Sequence, residues 1–151
     1  MKRSLSSLFA AAALLLVSSI VLASDGATYA EPKYEDKNGL TITSSSISMS
    51  SDRLVFKLTF WNKSDKGFVV DRDKLMLKMP DGSMKSRYKG MMTGWGMAGS
   101  THDIPAHGSH EVHIEFVVGK DAPASATLKL DHGIIQEGKE LSFSDYTATR
   151  R

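Results

Sequence analysis

The residue types best suited to chemistry are concentrated in one segment, from Lys89 to Gly108, whose 20 residues show no strand pattern. Connections of this length are uncommon between secondary-structure elements, and they tend to be functional or disordered. The segment is rich in glycine and contains thioether, indole and imidazole groups. These side chains are Met91, Met92, Trp95, Met97, His102 and His107, and His110 and His113 follow directly. Residues 89–113 therefore contain the candidate functional site.

Thioether and imidazole groups together are suitable ligands for copper. Methionine favours Cu(I), and histidine accepts either oxidation state. The spacing matches no established Met–His copper-carrier motif, and strict alternation puts His110 and His113 on opposite faces of a strand, so that these two and His107 cannot all converge. The methionines could instead pack as adaptable apolar filler. The candidate copper ligands are Met91, Met92, Met97, His102, His107 and His110.

The glycine-flanked indole of Trp95 indicates a different function for the same segment. Because Gly94 and Gly96 carry no side chains, the sequence neighbours of Trp95 cannot fully shield it. Tryptophan and methionine are enriched at the cores of protein interfaces, so we predict a contact surface for an envelope or extracellular protein. The alternative is that the indole folds back onto the domain. The predicted binding residues are Trp95, Met91, Met92 and Met97.

Motifs of enzyme active sites are missing from the sequence. There is no Gly-x-Ser-x-Gly, no His-Glu-x-x-His, no phosphate-binding loop and no cysteine nucleophile. Asp71 and Asp73 alternate with basic residues, as in a solvated turn. Asp103 follows His102, but neighbours in sequence on a loop rarely form a catalytic dyad. We therefore predict no catalytic residues and no enzymatic activity.

Residues 1–23 are typical of a secretory signal peptide. Two basic residues follow Met1, an apolar stretch covers residues 8–22, and small residues precede a cleavage position after Ala23. A retained membrane anchor needs about 18 to 20 apolar residues, whereas this stretch has 15 and is interrupted by two serines. We expect export to the periplasm or the extracellular space, with no stable membrane anchor after cleavage. A second cleavage position, after Ala30, is the alternative.

Charge and cysteine content restrict the partner and the compartment. The chain has 19 lysines and arginines against 17 aspartates and glutamates, but Lys2 and Arg3 belong to the predicted signal peptide, so the mature chain has 17 of each. A neutral chain gives no electrostatic reason to bind nucleic acid or anionic lipid. The absence of cysteine excludes disulfides and an acylated lipobox, and it favours a bacterial envelope over a eukaryotic secreted domain.

Beyond the signal peptide, we predict a flexible arm over residues 24–38 and a single domain over residues 39–151. Apolar residues in this domain recur with a period of two, which is typical of strands with one face on a core. The clearest alternations are Leu54, Phe56, Leu58 and Phe60, and Val112, Ile114 and Phe116. Shorter strands are predicted at residues 75–79, 84–88, 126–130 and 140–146, and a turn at Pro80–Ser83 lets the second return antiparallel to the first. The prediction is an antiparallel β-sandwich of about seven or eight strands.

Four motifs carry a resemblance to a known group of proteins. A strand at Leu54–Trp61 runs into Asn-Lys-Ser, a strand at Leu75–Met79 leads into Pro-Asp-Gly, a Pro-Ala-His-Gly-Ser turn begins at Pro105, and a strand ends in Phe-Val-Val at Val118. In this order they resemble bacterial secreted immunoglobulin-like domains of unknown function, over residues 40–146. The resemblance implies an immunoglobulin-like fold and no shared catalytic residues. Many members of the group are lipoproteins, whereas this chain has no cysteine to acylate.

The sequence as a whole predicts an exported cell-envelope binding module, monomeric or weakly associating, whose ligand is a protein and which needs no cofactor. The alternative is a periplasmic copper-binding protein that uses the Met- and His-rich residues 89–113.

Overall fold

The computed structural model describes residues 26–32, 34, 38–90 and 99–151. The predicted signal peptide and the predicted binding residues Met91, Met92, Trp95 and Met97 lie outside the described residues. No helix in the described part of the chain is long and apolar enough to span a membrane. A 3₁₀ turn covers Arg72–Lys74. The strands are β1 (Tyr29–Ala30), β2 (Leu40–Ser50), β3 (Arg53–Asn62), β4 (Phe68–Asp71), β5 (Met76–Lys78), β6 (Met84–Lys85), β7 (Thr101–Ile104), β8 (Ser109–Val117), β9 (Ser125–Lys129), β10 (Ile134–Gln136), β11 (Lys139–Glu140) and β12 (Tyr146–Arg150).

The long strands β2, β3 and β8 form one antiparallel sheet, and their inward residues are those that alternation predicts. In the register between β3 and β8, Leu54 lies opposite Phe116 and Phe56 lies opposite Ile114. Cross-strand partners point to the same face, so each pair enters the core together. The rings of Phe56 and Phe116 meet edge to face, with centroids 6.0 Å apart. The predicted core is confirmed, since Leu54, Phe56, Leu58, Phe60, Val112, Ile114 and Phe116 are all buried.

Two further antiparallel sheets close over this core. One has the strand order β1-β12-β9-β5-β6, and the other has the order β11-β10-β4-β7. Their inward residues, including Leu77, Leu128, Val70 and Ile134, join the inward residues of β2, β3 and β8 in one hydrophobic cluster. The prediction of an all-β antiparallel sandwich is confirmed. The described strands outnumber the seven or eight expected because several of them contain only two or three residues.

The hairpin after β5 carries the chain from one sheet to another. Its turn is the predicted Pro80–Ser83 segment, where Gly82 has a φ of +87° and the Ser83 amide donates to Asp81 Oδ1 at 2.8 Å. The prediction of a returning strand over residues 84–88 is only partly correct, because β6 pairs with β5 for two residues. The chain then leaves that sheet, and the Tyr88 amide donates to the carbonyl of Glu115 on the edge of β8 at 2.6 Å.

The single strand predicted over residues 140–146 is wrong. Strand β11 ends at Glu140 in one sheet, and β12 begins at Tyr146 in another. Between them, the Leu141 amide donates to the Ile134 carbonyl at 2.8 Å and Phe143 is buried in the core. The apolar residues of this segment thus anchor a crossing between two sheets, which alternation alone cannot distinguish from a strand.

The prediction that residues 89–108 contain no strand is also wrong, because Thr101–Ile104 form β7 beside β4. Only Ile104 in this strand is fully buried, so no apolar alternation reveals it. Part of the predicted N-terminal arm also joins a sheet, as Tyr29–Ala30 pair with β12. Tyr29 is 3% exposed and donates its hydroxyl to the Pro123 carbonyl at 2.7 Å.

Asn62 is the buried last residue of β3, and its side chain joins two turns. Its Oδ1 atom accepts the Ser64 amide at 2.8 Å, which shapes the turn that follows. Its Nδ2 group donates to the carbonyls of Lys66 at 2.7 Å and Pro105 at 3.1 Å. One amide side chain therefore holds the turn after β3 against the turn that precedes β8.

Candidate functional site

The residues on either side of the segment 91–98 are fixed to the sandwich. On the C-terminal side, Arg72 donates from Nη2 to the Gly99 carbonyl at 2.8 Å, and its own amide donates to the Ser100 carbonyl at 2.8 Å. The same guanidinium donates from Nη1 to the His113 carbonyl on β8 at 3.0 Å. Arg72 starts the 3₁₀ turn after β4, where Asp71 Oδ1 caps the Asp73 amide at 3.1 Å. This side chain therefore links β8, the β4 sheet and Gly99.

On the N-terminal side, residues 88–90 run along the edge of β8. Besides the hydrogen bond from the Tyr88 amide to Glu115, the guanidinium of Arg53 lies 4.8 Å from the centre of the Tyr88 ring. Arg53 Nη1 also contacts Glu115 Oε2 at 2.8 Å. We call the region formed by Arg72, residues 88–90 and residues 99–100 the loop base.

A cavity of about 330 Å³ opens at the loop base, and we call it the basic cavity. Its charged lining is mostly cationic, whereas the predicted mature chain as a whole is neutral. Tyr88 and Ile114 provide its less polar wall. The complete lining is Arg53, Arg72, Arg87, Tyr88, Lys89, Gly90, His113, Ile114 and Glu115.

The carboxylates near the basic cavity neutralise only some of its cations. Glu115 contacts Arg53, as described above. Asp73 contacts Arg87 Nε at 2.5 Å and Lys89 Nζ at 3.6 Å, and the Arg87 side chain is only 11% exposed. Arg72 instead donates to two backbone carbonyls. Its Nε atom is buried and has no hydrogen-bond partner among the described residues.

The pKa shifts in this region reflect the crowding of positive charge. Burial lowers the pKa of the Arg72 guanidinium, and the neighbouring charge of Arg87 lowers it further, while Asp73 acts in the opposite direction. Burial raises the pKa of Asp73, but the hydrogen bond and the charge of Arg87, together with Lys89, outweigh it and lower that pKa overall. Asp73 thus stays ionised at neutral pH, and an excess of positive charge is left around Arg72.

Two of the predicted histidines, His102 on β7 and His110 on β8, contact each other. His102 lies opposite the buried Val70 on β4, and His110 lies opposite the buried Phe60 on β3, so both imidazoles are on core-facing sides of their strands. His102 Nδ1 is 3.1 Å from His110 Nε2, and the ring centroids are 5.1 Å apart. His102 Nε2 is buried and has no hydrogen-bond partner among the described residues. Burial lowers the pKa of His102, and so does the nearby charge of Arg72, which favours a neutral imidazole at pH 7.

His107, the third histidine among the candidate copper ligands, contacts a carboxylate instead, and so does His113. His107 lies in the turn before β8, and its Nε2 atom is 2.7 Å from Asp65 Oδ1. His113 Nε2 is 2.6 Å from Glu111 Oε1, on the outer face of β8. The structure therefore brings together His102 and His110 and separates them from His107. The remaining predicted ligands, Met91, Met92 and Met97, lie outside the described residues, as does Trp95.

The His102–His110 pair has a geometry that two ligands of one metal ion can adopt. If a metal ion lay about 2.0 Å from each of the two facing nitrogens, the nitrogen–metal–nitrogen angle would be about 100°. This angle is within the range of tetrahedral and square sites. Among the described residues, no group of three or more histidine, cysteine, aspartate or glutamate side chains could hold a metal ion. The pair would therefore need a further donor, and thioethers suit Cu(I).

The sequence does not reveal the basic cavity, although two of its residues give a local signal. Arg87 and Lys89 are basic residues two apart, directly before Gly90. Arg72 looks like part of a solvated turn in the sequence, and Arg53 starts a strand far away along the chain. Only the crossing from β6 to the edge of β8 collects these side chains at one place.

Comparisons with known proteins give a distant structural likeness. No model of a known protein family matches the chain, and no curated protein matches it. The chain is similar to a protein whose X-ray structure was determined as target SoR45 of the Northeast Structural Genomics Consortium. The identity is 11% and the TM-score is 0.44, and the similarity covers 75% of this chain and 88% of that chain.

Proposed function

We propose that the protein is an exported binding module of the cell envelope, which holds a protein partner at the edge of the sandwich where the loop base lies. The observation that carries this proposal is the bridge from Arg72 to Gly99 and His113. Binding segments are commonly loops positioned by a rigid scaffold, because the scaffold limits the entropy lost on association. A side chain that joins two sheets to Gly99 gives the segment 91–98 such a support.

Export belongs to the proposal and rests on the signal-peptide pattern of residues 1–23. The position of β1 favours cleavage after Ala23 over cleavage after Ala30. The later cleavage would remove Tyr29, a buried residue whose strand pairs with β12. Mass spectrometry of the protein purified from its native host should give an N-terminus at Ser24. An unprocessed chain that begins at Met1 would contradict export.

Capture from an envelope extract tests the binding function, with the chain's two tryptophans as a matched pair. Wild-type protein, Trp95→Ala and Trp61→Ala are immobilised in equal amounts. Trp61 lies on the outer face of β3, is 46% exposed and donates its indole N–H to Thr43 Oγ1 at 3.0 Å. We expect a partner that wild type and Trp61→Ala retain and Trp95→Ala loses. Equal capture by all three proteins, or no capture by any, would remove the support for this function.

Copper binding is a second candidate function, and the 3.1 Å approach of His102 to His110 favours it. The neighbouring charge of Arg72, which lowers the pKa of His102, also repels a bound cation, so this candidate ranks second. A Cu(I) competition titration should give one tight site if it is correct. That site should disappear in His102→Gln and when Met91, Met92 and Met97 are replaced together by leucine, while His107→Gln retains it. Weak binding that none of these changes affects would exclude a specific copper site.

A further inference from the structure

The basic cavity has no role in the predictions made from the sequence, and its chemistry points to a ligand. We propose that it binds a small oxyanion, a carboxylate or phosphate group of a soluble ligand. This inference goes beyond the proposed protein-binding function, because it names a small-molecule ligand for the basic cavity. It does not depend on a protein partner being present.

The net charge of the basic cavity favours an anion. Four cationic side chains line the cavity, namely Arg53, Arg72, Arg87 and Lys89. Two carboxylates contact them, Glu115 in the lining and Asp73 beside it, so four minus two leaves an excess of two positive charges. A cleft that gathers charge of one sign focuses the electrostatic field and raises the local concentration of counter-ions. In the predicted mature chain, which is neutral overall, this excess attracts an anion to one place.

The Arg72 guanidinium has hydrogen-bond donors that can bind an oxyanion. A guanidinium has five N–H donors, and the two carbonyls bound by Arg72 account for two of them. Its buried Nε has no hydrogen-bond partner among the described residues. A guanidinium presents these donors in a planar fork that matches carboxylate and phosphate oxygens, and charge-assisted bonds of this kind are the strong ones. Among the described residues, no carboxylate forms an ion pair with Arg72, so it is the centre of the proposed site.

The size and lining of the basic cavity fit a small ligand. A volume of about 330 Å³ lies at the lower end of the range for small-molecule sites. Such a volume suits a compact ligand. Tyr88 supplies apolar contact beside the cations, and the Arg53 guanidinium lies 4.8 Å from the centre of its ring. Glu115 beside Arg53 and Asp73 beside Arg87 and Lys89 would repel an anion, which directs it toward Arg72.

The test is a calorimetric titration of the mature protein with inorganic phosphate and, separately, with citrate, at an ionic strength held constant with sodium chloride. We expect saturable one-to-one binding of at least one probe, and the comparison of the two probes assigns phosphate or carboxylate chemistry. Arg72→Gln should weaken binding about tenfold, because it removes the central fork. Lys89→Gln should weaken it by a few fold, since this side chain is 58% exposed and contributes mainly charge.

The matched control is Lys129→Gln, which removes the same charge from a different sheet. Lys129 lies on β9 and pairs with Asp145. It should bind both probes as wild type does. If Arg72→Gln unfolds, Lys89→Gln keeps the test decisive because its side chain is largely exposed. The inference is overturned if neither probe saturates, or if Lys129→Gln weakens binding as much as Lys89→Gln does. The capture experiment with Trp95→Ala uses a different variant and readout, so the two proposals can fail separately.

Discussion

Arg72 Nη1 donates to the backbone carbonyl of His113 at 3.0 Å and thereby joins the sheet of β4 to the edge strand of the β2-β3-β8 sheet. The same guanidinium fixes Gly99 on the other side. The main-chain amide of Arg72 also donates, to the Ser100 carbonyl. The three hydrogen bonds therefore all end on main-chain carbonyls. Arg72 thus links the β4 sheet to β8 and lines the basic cavity.

Replacement of Arg72 by lysine should separate the effect of geometry from that of charge. Lysine keeps the positive charge but lacks the planar fork that reaches Gly99 and His113 at once. We expect a loss of about 1 to 3 kcal/mol in the free energy of unfolding, measured by urea titration. Arg53→Lys is the control, because Arg53 is partly exposed and pairs with Glu115 at the surface. An unchanged midpoint for Arg72→Lys would show that the bridge does not stabilise the fold.

The core prediction depends on the inward face of β3. Phe56 is fully buried and packs edge to face on Phe116, so Phe56→Ala should lower the free energy of unfolding by about 3 to 5 kcal/mol. The next residue, Lys57, is exposed on the opposite face, and Lys57→Ala should change it by less than about 0.5 kcal/mol. Denaturant titrations of the two variants check this difference. A change under about 1 kcal/mol for Phe56→Ala would place it outside the core.

The side-chain amide of Asn62 should contribute to stability, because it joins two turns at the buried end of β3. Asn62→Ala removes the donor for the carbonyls of Lys66 and Pro105 and the acceptor for the Ser64 amide, all at a buried site. We expect a loss of about 1 to 3 kcal/mol in the free energy of unfolding. Ser45→Ala, which removes an exposed hydroxyl bonded to Glu111, is the control and should be nearly neutral. Equal stability of the two variants would contradict the structural role of Asn62.

The pH dependence of stability follows from His102. Its pKa in the folded protein lies below the ordinary value of 6.5, because burial and the charge of Arg72 disfavour the protonated form. At a pH between the pKa of His102 in the folded protein and its ordinary value, the unfolded chain therefore binds more protons than the folded protein does. Stability from this group is complete above about pH 6.5 and is lost as the pH falls toward the folded pKa. Thermal unfolding should show this loss in wild type and not in His102→Gln. An NMR titration that places the His102 midpoint at or above 6.5 would contradict it.

The sequence is sufficient to predict the sandwich because its longest strands bury one face each. Phe56 and Ile114 belong to strands of ten and nine residues, respectively, in which a period of two is unmistakable. The pattern fails for short elements such as β7, where Ile104 alone is fully buried. It also fails between Glu140 and Tyr146, where apolar residues serve a crossing between sheets. In both places tertiary pairing, and not local periodicity, decides the structure.

The site is less predictable than the fold for the same reason. The sequence singles out His102 and His110, but their contact depends on the pairing of β7 with β4 and of β8 with β3. It gives no indication that Arg72 would reach His113, 41 residues further along the chain. Contacts between side chains on different sheets depend on register and topology, which the residue types alone do not encode.

The central claim is that the segment supported by the loop base binds a protein partner, and an equilibrium dissociation constant tests it most directly. The partner captured from the envelope extract is titrated against wild type, Trp95→Ala and Trp61→Ala. The account predicts that Trp95→Ala weakens binding at least about tenfold, as expected for a tryptophan at the centre of an interface, and that Trp61→Ala binds like wild type. Equal dissociation constants for wild type and Trp95→Ala would contradict it.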